Sequence, residues 1–219
     1  VLGVLHRDDG IVAPSRHLGL VPADERDEAA AALDLLTEQV TERIDLDQVI
    51  ALARQAPGLD SKPWEPRSRV VPVPGRPVIA RAGGRAFTFR YAETEELLRA
   101  AGCEVVTFDP LLDQNLPDGT SGIYLGGGFP EVHASAHTAN APLRGALARA
   151  IASGVPTVAE CAGLLYLCRD VDQAAMVGAI PASGAMSPRL TLSYRTVEVD
   201  QPSLLGRPGE AVTGHEFHR

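Results

Sequence analysis

The chain of 219 residues holds a single lysine, Lys62, and every other basic side chain is an arginine. Tryptophan occurs once, methionine twice and cysteine three times, and aromatic residues make up only 5%. Each scarcity excludes something. A phosphate-cradling G-x-x-x-x-G-K-[ST] run needs a lysine, and Lys62 follows Asp60 and Ser61 in a proline-rich stretch, so this chain carries no P-loop. Cys103, Cys161 and Cys168 have no metal-ligand spacing, and an odd count argues against a disulfide framework, which makes a reducing cytoplasm the expected compartment. No apolar run approaches the roughly 18 residues that would span a bilayer. No targeting segment or initiating methionine opens the chain, and both ends read as cut. With 28 acidic against 20 basic side chains the net charge is −8, a field that repels nucleic-acid phosphates and anionic membranes. Neither is expected as a partner.

What remains is an ordinary globular composition, 45% hydrophobic and 22% charged, long enough for one large domain or one and a half small ones. The opening Val1–Leu5 reads as a buried strand leading into a turn. Between Asp24 and Arg54, Ala30, Leu33, Leu36, Val40 and Ile44 recur at helical spacing, and a second helix is expected over Leu46–Arg54. From Ala56 to Arg76 prolines dominate, fixing backbone dihedrals and removing amide donors, as in an extended linker. The domain boundary is placed there: residues 1–56, a linker over 57–76, and a domain over 77–219.

Beyond the linker the pattern becomes regular. Strands are expected over Pro77–Ala82, Glu104–Phe108, Gly122–Leu125 and Val155–Ala159, alternating with helices over Glu93–Ala101, Pro142–Ala152 and Ala162–Cys168. Such alternation implies right-handed crossovers and an α/β fold with a doubly wound parallel sheet. Leu190–Val199 and Ala211–His218 are rich in β-formers and read as strands near the sheet edge.

Chemistry concentrates in three places. In the run from Val155 to Tyr166 a buried strand passes through Glu160 and Cys161 into small residues, Ala162 and Gly163, and then a helix. A cysteine at such a junction stands on a sharp turn at the carboxyl end of the sheet, where the helix amino terminus favours a charged sulfur and the Ala162 N–H faces a forming oxyanion. The bland reading is a small buried hydrophobe, which is retained for Cys103 and Cys168. Next, Gly126, Gly127 and Gly128 follow a strand directly and can present backbone N–H groups to an anion, although a tight turn alone would use the same residues. Last, Glu216 and His218 stand two apart and share a strand face, so the carboxylate could orient the histidine as base for Cys161; a polar strand end is the alternative. His133 and His137 could share a helix face as metal ligands, but no third ligand lies nearby and no metal is expected.

Together a cysteine elbow, a triglycine loop and a late Glu-x-His resemble the triad (class I-like) glutamine amidotransferase domain. Leu125-Gly-Gly-Gly-Phe-Pro-Glu131, Glu160-Cys-Ala-Gly-Leu-Leu-Tyr-Leu167, Pro188-Arg-Leu-Thr-Leu-Ser-Tyr-Arg195, Gly214-His-Glu-Phe-His218 and Ser15-Arg-His-Leu-Gly-Leu-Val-Pro22 are similar to signatures of the cobyrinic acid a,c-diamide synthase family, in that family's order. The resemblance implies a flavodoxin-like glutaminase domain preceded by the end of a dethiobiotin-synthetase-like P-loop ATPase domain. It implies Cys161 as nucleophile, His218 as its base with Glu216 orienting it, and Gly127, Gly128 and Ala162 as oxyanion donors. It further implies glutamine as ammonia source, and ATP and Mg²⁺ acting in the ATPase domain on the a and c acetate carboxylates of a corrin such as cobyrinate or hydrogenobyrinate. A homodimer is compatible with it. The chain departs from the family pattern at Phe129, where Tyr is common, at Ser193, where Gly is common, and over Arg90–Thr94, where a Tyr-Tyr-x-Glu-Asn run is common. Two alternatives stay open: another cysteine hydrolase on the same fold, and a glutaminase-like docking module without activity of its own.

Overall fold

The computed structural model describes residues 1–11, 15–16, 19–21, 25, 29–204 and 206–218. The chain divides into two compact units, Val1–Trp64 and Glu65–Arg219. In the first, β1 (Ser15–Arg16) and β2 (Gly19–Leu20) form a two-residue antiparallel pair, followed by α1 (Ala29–Arg43) and α2 (Leu46–Gln55). Asp45 separates the helices and caps the second, its carboxylate accepting from the Gln48 N–H at 2.9 Å. Neither helix buries a residue. The strand expected over Val1–Leu5 does not form. Of Val1–Leu5 only Gly3 pairs, by a single bridge to Ile44, and no strand among the described residues lies alongside to complete a ladder. The start of the expected first helix at Asp24, and parts of the run from Ser15 to Pro22, lie outside the described residues.

The second unit opens along the proline-rich stretch, in which one short 3-10 turn, Pro66–Ser68, interrupts an otherwise irregular path. Then come β3 (Val78–Ala82), α3 (Ala92–Ala100), β4 (Glu104–Phe108), β5 (Thr120–Leu125), α4 (Ala134–Ala139), α5 (Ala141–Ala152), β6 (Thr157–Ala159) and α6 (Ala162–Leu167). The four strands are all parallel in the order β4-β3-β5-β6. Counted within this sheet the order is 2-1-3-4, so the direction of winding reverses between β3 and β5. That reversal opens a crevice beyond the carboxyl ends of the central strands, where open α/β sheets bind ligands.

Strand alternation sends the two side-chain sets to opposite faces. Ala80, Ala82, Ile123 and Leu125 belong to the apolar core with Leu143 and Leu147 of α5 and Tyr166 of α6. On the other face Arg81 stands in register with Thr107 and Tyr124. The Arg81 guanidinium hydrogen-bonds the Thr107 hydroxyl and faces Glu95 of α3 at 3.6 Å. Glu95, bonded also by Arg99 at 2.8 Å, has its carboxyl held below the ordinary range, first by Arg99.

After α6 three short strands, β7 (Asp170–Val171), β8 (Ala174–Ala175) and β9 (Ser183–Gly184), make a small sheet that the sequence pattern did not reveal. The final strands, β10 (Thr191–Glu198) and β11 (Ala211–His218), pair antiparallel over eight residues. The sequence reads them as strands near the sheet edge; they are strands, and they pair with each other in a ribbon separate from the main sheet.

His137 of α4 is completely buried, its ring 4.5 Å from that of Tyr166 and edge-on to Phe87. Burial drives its pKa down to about 4, so the folded chain keeps it neutral. Below about 6.5 the unfolded chain takes up a proton that the folded chain refuses, so stability falls as pH drops from there towards 4. Denaturant titrations between pH 7 and 4.5 should show that loss, worth at most about 1.4 kcal/mol per pH unit from this group, and His137→Phe should flatten the curve relative to the unsubstituted chain.

Candidate active site

The carboxyl ends of β5 and β6 meet at one point. The Glu160 N–H donates to the Leu125 carbonyl at 3.0 Å, and the Gly163 N–H is shared between the carbonyls of Gly126 (3.0 Å) and Glu160 (2.8 Å). These bonds draw the amino end of α6 onto the end of β5 so closely that a Cβ on Gly163 would stand 2.4 Å from the Leu125 carbonyl oxygen. Only glycine fits there. The chain must turn sharply to make this approach, and Cys161 takes up the turn with φ +51° and ψ −114°. A non-glycine residue in such a conformation carries strain of about 1–3 kcal/mol and persists only where its surroundings dictate it. The sulfur is exposed, whereas Cys103 is half-buried and Cys168 buried.

The glycine loop lies alongside. A Cβ on Gly127 would be 3.6 Å from the Cys161 Cβ, which puts the two sequence-predicted features side by side. No backbone acceptor among the described residues takes the N–H of Gly128 or of Ala162, and both residues are buried. Gly127 differs. Its N–H donates to the Phe89 carbonyl at 3.0 Å and its own carbonyl accepts from the Phe89 N–H at 3.1 Å, a reciprocal pair that occupies the donor. Phe89 also packs edge-on to the buried Phe129, ring centroids 5.1 Å apart.

The hairpin carries the third feature. In its register Thr191 stands opposite His218, Ser193 opposite Glu216 and Arg195 opposite Gly214, so these side chains share one face. His218 Nε2 donates to Glu216 Oε1 at 2.7 Å, and Arg195 Nε donates to Glu216 Oε2 at 2.6 Å. His218 and then Arg195 hold the Glu216 carboxyl below the ordinary range, so it is ionised at neutral pH. With Nε2 engaged, Nδ1 is the nitrogen left to accept a proton. Sequence reasoning found Glu216 and His218 but gave Arg195 no role; only the strand register shows that it clamps the same carboxylate. The Cys161 thiol makes no hydrogen bond to a described residue, and the His218 ring bonds Glu216 alone among them. The structure thus brings Cys161 to the glycine loop and Glu216 to His218, but not the two pairs into hydrogen-bond contact.

His133 ends the loop before α4 while His137 is buried against Tyr166, and no group of three His, Cys, Asp or Glu side chains placed to hold a metal occurs among the described residues. Among them, no helix is long and apolar enough to cross a membrane.

A strained cysteine between strand and helix, beside a glycine loop at the carboxyl edge of a flavodoxin-like parallel sheet, is the framework of a class I-type glutamine amidotransferase domain. The chain belongs to the CobB/CobQ-like glutamine amidotransferase domain family, whose model matches residues 79–219. It is 56% identical over its full length to a hydrogenobyrinate a,c-diamide synthase of Thermobifida fusca and 45% to one of Streptomyces coelicolor, covering 48% and 51% of those proteins. A cyanobacterial relative from Synechococcus, named cobyrinate a,c-diamide synthase, is 42% identical with 49% covered. The chain spans about half the length of these curated relatives.

Because the elbow depends on a backbone contact, adding one methyl group should undo it. Gly163→Ala is expected to destabilise the second unit by about 2–3 kcal/mol, read as a lower denaturation midpoint. Gly154→Ala is the control: a Cβ there meets nothing within 4 Å, although its φ of +90° adds a smaller penalty.

Proposed function

We propose that this chain releases ammonia from glutamine through Cys161, for amidation of the a and c acetate carboxylates of a corrin tetracarboxylate, cobyrinate or hydrogenobyrinate. The observation that carries this reading is the exposed, strained Cys161 beside the Gly127–Gly128 backbone. The Cys161 sulfur attacks the glutamine carboxamide carbon, and charge develops on its oxygen. The N–H groups of Ala162 and Gly128 receive that charge, and Gly127 joins them once its pairing with Phe89 opens. His218 takes the thiol proton at Nδ1 and returns it to the departing ammonia, while Glu216, held in turn by Arg195, fixes the ring and balances its positive charge. Water then hydrolyses the thioester by the same proton route and glutamate leaves. This sequence requires the hairpin to bring His218 to Cys161, and an isolated chain with the two apart hydrolyses glutamine slowly.

The residues present do not fit ATP with Mg²⁺. The single lysine is in a proline-rich stretch and no acidic cluster is grouped for a cation among the described residues. Activation of the corrin carboxylates is therefore assigned to the part of the protein outside this chain. In this reading residues 1–56 are the end of an ATPase domain, 57–76 a linker and 77–219 the glutaminase domain.

A glutamine-mimicking diazoketone should alkylate Cys161 alone among the three cysteines, seen by peptide mass mapping. Cys161→Ser should abolish glutamine hydrolysis, and His218→Ala should lower kcat by about 10²–10⁴. Unchanged hydrolysis in either variant would sink the assignment. A chain that binds no glutamine even with the remainder of the protein supplied in trans would instead be a docking module. For the carboxylate clamp, Arg195→Met should move the acid limb of the pH-rate profile upward, because Glu216 loses one of the two groups that keep its carboxyl low.

A further inference from the structure

Glu160, the residue immediately before the nucleophile, is tied to the fold three times. Its N–H donates to Leu125, its carbonyl accepts from Gly163, and its carboxylate Oε1 accepts from the Tyr124 hydroxyl at 2.6 Å. The first two bonds define the bend between strand and helix. The third comes from near the carboxyl end of the neighbouring strand, since Tyr124 of β5 pairs with Val158 of β6 and stands on the α3 face of the sheet. Thr94, in the first turn of α3, acts on the same phenol and opposes the upward shift of its pKa. A tie thus runs from Tyr124 through the Glu160 carboxylate to the peptide that precedes Cys161. Burial, and after it the Glu160 carboxylate, push the Tyr124 hydroxyl up to about 12, so it remains a donor at any working pH.

This tether acts on a peptide that has reason to move. Cys161 sits at positive φ against the ordinary preference of an L residue, and relaxation of that strain would rotate the peptide between Glu160 and Cys161 and re-aim the sulfur. The Glu160 side chain is on the surface, where without the phenol it would sample several rotamers.

We propose that Tyr124 is a positioning residue: by holding the Glu160 carboxylate it fixes the 160–161 peptide and so aims the Cys161 sulfur at the carboxamide. The catalytic part of this rests on the glutaminase reading above; the positioning part does not. Tyr124 touches no reacting atom.

The test uses the 219-residue chain with Tyr124→Phe, Glu160→Gln and the two combined, and Thr94→Val as a milder variant. Cysteine labelled with ¹³C and ¹⁵N reports the elbow directly: in Tyr124→Phe the Cys161 signals should shift or broaden while those of Cys103 and Cys168 stay in place. Glutamine hydrolysis should lose about tenfold in kcat with KM changed less than twofold, a split that general destabilisation would not produce. The double variant should be no worse than the poorer single one, because both substitutions act on the same bond, Tyr124→Phe removing its donor and Glu160→Gln the charge of its acceptor. Unmoved Cys161 signals, a kcat within twofold of the unsubstituted chain, or losses that multiply in the double variant would each overturn the proposal. If the unsubstituted chain fails to hydrolyse glutamine yet Tyr124→Phe moves the Cys161 signals, positioning stands and the glutaminase reading falls.

Discussion

The approach of Gly163 to the Leu125 carbonyl is the constraint on which the candidate site depends. At 2.4 Å from where a Cβ would be, it leaves no space for any side chain, and it places the first turn of α6 directly against the end of β5. Everything that makes Cys161 distinctive follows from that closeness. The chain has only Glu160 and Cys161 with which to leave β6 and enter the helix, so the backbone bends sharply and the cysteine absorbs the bend at positive φ. The same closeness puts the sulfur next to Gly127, because the loop leaving β5 and the helix following β6 share one corner of the sheet.

Two polar systems of the second unit differ in their relation to water. On the α3 face, Arg81, Glu95 and Thr107 form a partly buried group whose bonds are protected and whose geometry is set by strand register. On the hairpin, Arg195, Glu216 and His218 stand in solvent, where salt screens their bonds and side-chain motion competes with them. A group meant to hold a shape belongs in the first setting. A group proposed to exchange protons with substrate and water belongs in the second.

The sequence made the parallel sheet, the elbow and the glycine loop legible because each is written in contiguous residues. Alternation of strand and helix patterns carries the first, and small residues at Ala162, Gly163 and Gly126–Gly128 carry the others. Glu216 and His218 were legible for the same reason, being two apart on one strand. What could not be read was whatever depends on pairing between distant segments. Arg195 reaches Glu216 across 21 positions, Tyr124 reaches Glu160 across 36, and Phe89 occupies the Gly127 donor only because two separate loops happen to run antiparallel. Val1–Leu5 shows the converse error, a locally strand-like run that finds no partner strand among the described residues. The last two strands were legible as strands but not in their pairing, since β-propensity says that a segment pairs but not with which neighbour.

Among the described residues the hairpin strands pair only with each other, and the outward face leaves Leu192 and Tyr194 68% and 88% exposed. A two-stranded ribbon with so little covering is held by few buried contacts, while the elbow is welded to the centre of the domain. In the proposed reaction Cys161 and His218 therefore stand on parts of unequal rigidity, and a contact that clasps the ribbon would act on the supply of ammonia without touching either residue.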